Sequence, residues 1–86
     1  MSLLKDKVLL ISGGTGSFGN AVTKRFLLSD IKEIRIVSRD EKKQDDMRHE
    51  YQSLYPEYAN KLKFYIGDVR DCSSIEYAFK GVDYVF

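Results

Sequence analysis

The chain has 86 residues, 43% hydrophobic and 31% charged, with a formal net charge of +1. That suits one small globular domain, and so even a charge balance gives no bulk attraction to nucleic acid or an anionic membrane surface. The longest apolar run, Val8 to Ile11, is far short of the roughly 20 residues a membrane span needs, and the single Cys72 cannot form an internal disulfide. No apolar signal core precedes the first charges, Lys5 to Lys7. These features predict a cytoplasmic protein with no nucleic-acid partner and no membrane segment.

In chain order, Lys7 to Ser12 is a short continuous apolar run ended by glycine, as in a strand covered on both faces. Ser17 to Leu28 spaces Phe18, Ala21, Val22 and Phe26 by three and four, which predicts one apolar helix face. Glu33 to Ser38 is a second strand, rich in β-branched residues. Asp40 to Leu54 is a charged helix with two competing starts: a capping box from Ser38 to Glu41, or Asp40 as N-cap. Pro56 ends it.

Lys61 to Gly67 is a third strand. Asp71 to Lys80 reads as a third helix, with Ser73 and Glu76 as a capping box and Gly81 as its C′ residue. Val82 to Phe86 begins a fourth strand. The order βαβαβαβ predicts an α/β fold: the N-terminal part of a Rossmann-type doubly wound parallel sheet, truncated, in one partial domain over 1–86. Strand order 3-2-1-4 would leave strand four as an apolar edge, which predicts self-association into a homo-oligomer.

The chemistry concentrates where strands end. Gly13-Gly14-Thr15-Gly16-Ser17-Phe18-Gly19 holds two overlapping patterns. Gly14-x-Gly16-x-x-Gly19 is the dinucleotide fingerprint, and Gly13-x-x-Gly16-x-x-Gly19 is the spacing of short-chain dehydrogenases. A strand before it and a helix after it supply the required context. Glycine lets the strand turn sharply and the backbone approach a pyrophosphate, and the helix N-terminus offers free N–H groups to the anion. No Gly-Lys-Ser/Thr follows, which excludes a Walker loop.

About 20 residues further on, where a ribose-reading residue is expected, stand Ser38 and Arg39. A hydroxyl and a guanidinium suit a 2′-phosphate, with Lys42 adding charge, so NADP is preferred. Asp40 keeps NAD open as the alternative. After strand three, Asp68 is placed to accept from the adenine amino group and the Val69 backbone to meet a ring nitrogen; Asp71 reads as a helix cap. His49 reads as a solvated charge-face residue, Cys72 as inert, and Tyr51, Tyr55 and Tyr58 as packing for the end of helix two. No metal site is expected. Reductases of this class pair a Tyr with a Lys four residues on. None of the six tyrosines has one, so no catalytic residue is assigned in this chain.

"ISGGTGSFGN", "IRIVSRDEKKQDDMR" and "KLKFYIGDVRD" resemble the N-terminal part of the UDP-N-acetylglucosamine 4,6-dehydratases. These are extended short-chain dehydrogenases of bacterial surface-polysaccharide biosynthesis, some of which also epimerise. The Ser-Arg-Asp-Glu run with Lys-Gln-Asp-Asp-Met-Arg narrows the match beyond the glycine loop. The resemblance implies a much longer parent enzyme that binds NADP and a nucleotide sugar. Such enzymes oxidise C4, eliminate water across C5 and C6, and return the hydride to C6. Carried over by position, Gly13, Thr15, Gly16, Ser17, Phe18 and Gly19 would line the pyrophosphate. Ser38, Arg39 and Lys42 would hold the adenosine phosphate, and Asp68 and Val69 the adenine. The substrate domain has no counterpart here, and the fragment is expected to be inactive alone. Two other readings stay open: another extended sugar-nucleotide epimerase or reductase, and a stand-alone nucleotide-binding module.

Overall fold

The structure, a computed structural model, describes residues 5–13, 16–68, 70 and 76–86. Four parallel strands, β1 (Val8–Ser12), β2 (Glu33–Ser38), β3 (Leu62–Ile66) and β4 (Tyr84–Val85), form a sheet in the order β3-β2-β1-β4. The chain runs from β1 through helix α1 (Ser17–Leu27) to β2, and through helix α2 (Glu41–Leu54) to β3. It then crosses to the far side of β1 for β4. All four strands point the same way, so the loops that leave β1, β2 and β3 meet at one end of the sheet.

The two faces of the sheet are filled differently. On one, Leu9, Ile11, Ile34, Ile36 and Leu62 pack with Leu27, Met47 and Tyr51 from the two helices. On the other, Leu10 and Val37 are fully buried with Ala78 and are flanked by Tyr65 and Val82. Burial on both faces explains why β1 reads as a continuous apolar run.

The face that α1 presents matches the one its hydrophobic spacing predicts only in part: Val22 and Phe26 pack against the core. Phe18 and Ala21 are exposed, and Gly19, Thr23 and Leu27 are buried. These positions, i, i+4 and i+8, are one face of the helix. Two of them are small or polar, so they carry little hydrophobic signal, but their size allows close packing. Helix α2 buries Gln44, Met47 and Tyr51 beneath a charged exterior. The rings of Tyr51 and Tyr55 lie 5.8 Å apart at its end.

The described part of the crossover between β3 and β4 is a 3-10 turn, Glu76–Phe79, rather than an α-helix; Asp71, Cys72 and Ser73 of the expected helix lie outside the described residues. Gly81 takes φ +75°, the left-handed conformation expected of a C′ glycine. Arg35 on β2 ties this turn to the sheet: its guanidinium donates to the carbonyls of Ala78 (2.9 Å) and Lys80 and pairs with Glu33. Strand β4 is held from β1 by Asp83, whose carboxylate accepts from the Val8 N–H at 2.8 Å. Its residues Tyr84 and Val85 remain exposed, as an edge strand's do. Among the described residues, no helix is long and apolar enough to cross a membrane.

Candidate functional site

A cleft of about 370 Å³ opens at the carboxyl ends of β1, β2 and β3. Gly13, Ser38, Arg39, Asp40, Asp68 and Arg70 are among its lining residues. Ligands of open parallel sheets sit in such a place. The rim is stitched by backbone bonds: Gly13 N–H donates to the Val37 carbonyl at 2.8 Å, and Gly67 N–H to the Ser38 carbonyl at 3.0 Å. Gln44 braces it from beneath. Its buried amide donates to the Tyr65 carbonyl at 2.8 Å and to the Ser38 carbonyl at 3.4 Å.

The turn out of β1 is built by Gly13 at φ +64°, a conformation that side chains with a Cβ rarely adopt. A Cβ there would meet nothing within 4 Å, so the backbone faces open space at the cleft. Gly16 is the N-cap of α1 and offers no side-chain acceptor, and the first turn holds no acidic residue. The positive end of α1 is therefore not neutralised by its own cap or first-turn side chains, which fits an anionic group. Ser17 is exposed at the helix start. Gly19 is buried against the sheet, and Phe18 is 72% exposed with its ring 6.4 Å from that of Phe86.

At the end of β2, the Ser38 hydroxyl accepts from the Asp40 N–H at 3.0 Å. Asp40 is the N-cap of α2, accepting from the Lys43 N–H at 3.0 Å, so the helix starts here rather than through a capping box from Ser38. Arg39 projects into solvent at the mouth, 71% exposed, with Asp68 3.7 Å away. Lys42 lies on the outer face of α2, outside the cleft lining, and pairs with Asp46 at 3.2 Å.

At the end of β3, Asp68 is engaged by Arg70. The guanidinium donates to both carboxylate oxygens, at 3.2 and 3.0 Å, and the Arg70 N–H adds a bond of 2.9 Å. These side-chain and backbone bonds, helped by the charges of Arg70 and Arg39, lower the Asp68 pKa to about 2. Asp68 is thus ionised at neutral pH. Sequence reasoning passed over Arg70, although its place two residues beyond Asp68 is the signal that a side chain would fold back on the carboxylate. Thr15 and Val69, both sequence-predicted site residues, lie outside the described residues, as does Gly14.

The polysaccharide biosynthesis protein model matches residues 9–86 of this chain. The chain belongs to that family. Proteins similar to it include UDP-glucose 4-epimerase from Rickettsia bellii (strain RML369-C), 64% identical over 85 residues. The protein of that name from Rickettsia prowazekii (strain Madrid E) is 62% identical over 85 residues. Each match covers 94% of this chain and 23% of the relative, so the chain spans about a quarter of the length of these relatives. Among solved structures, the X-ray structure of Pen from Bacillus thuringiensis superposes with a TM-score of 0.86 at 32% identity, over 99% of this chain and 24% of that one. A putative 3-oxoacyl-reductase from Bacillus thuringiensis shares the fold alone, with a TM-score of 0.71 at 20% identity, over 94% of this chain and 35% of that one. The fold is therefore Rossmann-like, a four-stranded parallel sheet flanked by helices.

Proposed function

We propose that this chain is the NADP-binding portion of an enzyme that works at C4 of a UDP-sugar in polysaccharide biosynthesis. The observation that carries the reading is the cleft at the strand ends, where the Gly13 turn shares a lining with Ser38 and Arg39. Gly13 leaves room for a pyrophosphate, and the N-terminus of α1 supplies dipole and N–H groups. Arg39 is exposed and holds Asp68 only in a 3.7 Å ion pair, so its guanidinium can turn to a 2′-phosphate. A nicotinamide bound here would supply reversible hydride acceptance.

Two activities share that first step. The relatives' name points to C4 epimerisation. Inverting a carbinol carbon with no acidic C–H requires oxidation to the ketone and return of hydride from the other face. The resemblance of the Ser-Arg-Asp-Glu and Gly-Asp-Val-Arg-Asp runs points to 4,6-dehydration of UDP-N-acetylglucosamine, which adds loss of water. We favour the dehydratase reading on those runs. The acid–base pair for either reaction must come from residues other than these, because no Tyr here has Lys four positions on.

The cofactor assignment is tested by calorimetric titration with NADP and NAD. One charge-assisted bond to phosphate contributes about 1.5–3 kcal/mol, so NADP should bind more than about tenfold tighter, and Arg39→Gln should abolish the difference. Equal affinities would overturn NADP. The reaction is tested on the full protein with UDP-glucose and UDP-N-acetylglucosamine. A product one water lighter than substrate supports dehydration, and a product of unchanged mass with inverted C4 supports epimerisation.

A further inference from the structure

Arg39 and Arg70 approach the same carboxylate, but unequally. Arg70 takes both oxygens of Asp68 through its fork and adds its own backbone N–H. Arg39 stands at 3.7 Å, beyond hydrogen-bond distance, and among the described residues it has no other counter-charge. A carboxylate between two guanidiniums must be divided between them, and the bidentate partner wins. Asp40, the other carboxylate at the mouth, is engaged with the N-terminus of α2.

We propose that Arg70 is a positioning residue that determines cofactor specificity: by taking the hydrogen bonds of Asp68 it leaves Arg39 only a loose ion pair there and keeps it open to the 2′-phosphate of the adenosine ribose. This rests on the 2′-phosphate reading of Arg39 given above. Without Arg70, Asp68 would have free lone pairs within 4 Å of Arg39. A small side-chain rotation would then tighten the loose 3.7 Å ion pair into a hydrogen-bonded one and withdraw the guanidinium from the ligand. Arg70 acts through Arg39 and makes no contact with the phosphate.

The readout is the ratio of affinities, measured by titration of the full protein, for adenosine 2′,5′-bisphosphate over adenosine 5′-phosphate. Arg70→Gln should lower that ratio by about tenfold, the worth of one charge-assisted hydrogen bond. In an Arg39→Gln background, removing Arg70 should change the ratio no further, because the two residues form one chain of action. Adding Asp68→Asn to Arg70→Gln should restore the ratio, since no carboxylate remains to capture Arg39. Melting temperature serves as the folding control; the Arg39 and Arg70 side chains are exposed and Asp68 is partly so.

An additive loss in the Arg39→Gln, Arg70→Gln double variant would show Arg70 touching the phosphate itself and overturn the inference. An unchanged ratio in Arg70→Gln, with Arg39→Gln still lowering it, would overturn it too. A wild-type ratio near one would end the 2′-phosphate reading of Arg39, and this inference with it.

Discussion

Helices α1 and α2 begin at the same end of the sheet, but their N-termini are built oppositely. Helix α1 is capped by Gly16, with no side-chain acceptor and no acid in its first turn. Helix α2 is capped by the Asp40 carboxylate and carries Glu41 in its first turn. A helix N-terminus holds unpaired N–H groups and the positive end of the dipole, and something must satisfy them. Helix α2 satisfies its own. Helix α1 leaves them to water or to a ligand. One helix start is thus closed by its own side chains and the other is left open, as the proposed anion at α1 requires, while Ser38 and Arg39 line the cleft before α2.

The largest expected effect comes from giving α1 the cap that α2 has. Gly16 has ordinary extended angles, φ −79° and ψ 176°, and a Cβ there makes only ordinary contact with the Gly13 carbonyl at 3.6 Å. Gly16→Asp should therefore fold, with the helix slightly more stable. Its carboxylate would oppose a phosphate by roughly 4 kcal/mol at 4 Å in a surface dielectric. Dinucleotide affinity measured by titration should fall by about a hundredfold or more, without loss of thermal stability.

Gly13→Val tests the turn that presents α1. A β-branched residue at φ +64° stores strain of about 1–3 kcal/mol. The melting temperature should fall by roughly 5–15 °C, and nucleotide affinity should fall with it. Here stability and binding are lost together, whereas Gly16→Asp separates them.

Asp40→Ala removes the cap of α2 and should cost about 1 kcal/mol. The expected drop in melting temperature is about 4–8 °C. Nucleotide affinity should survive, because this helix end satisfies itself rather than the ligand.

The smallest effect is seen at alkaline pH. Tyr51, at the far end of α2, donates to the backbone and side-chain oxygens of Asn20 on α1 at 3.2 Å. Burial, with the charge of Glu50 and the neighbouring Tyr55, raises its pKa from 10.0 to about 12. The folded state then holds the proton more tightly than the unfolded one. The resulting stability is complete below pH 10 and is lost as pH rises toward about 12. Thermal melts of the wild type should fall more steeply across that window than those of Tyr51→Phe.

Much of this architecture was legible in the chain. Strand β2 spans Glu33 to Ser38 as its β-branched run indicates, and the parallel order β3-β2-β1-β4 follows from alternation and right-handed crossover. Other features were hidden for identifiable reasons. The buried stripe of α1 runs through Gly19 and Thr23, whose value is small size rather than hydrophobicity. The ends of β2 and β3 are braced by Gln44, a polar residue in a run of charges, whose burial depends on carbonyls far away in sequence. Arg35 likewise serves carbonyls of a turn more than forty residues later, at Ala78 and Lys80.

The sequence by itself determined the strands, the first two helices, the direction of the strands and the glycine turn after β1. Those depend on local conformation, periodicity and the absence of a Cβ, which are properties of residues and their near neighbours. Only the tertiary structure decided how charge is shared at the cleft: that Asp40 serves α2, that Arg70 takes the hydrogen bonds of Asp68, and that Arg39 keeps only a loose ion pair with it. Ion pairs form by distance in space, and the loops after β2 and β3 become neighbours only when the sheet assembles.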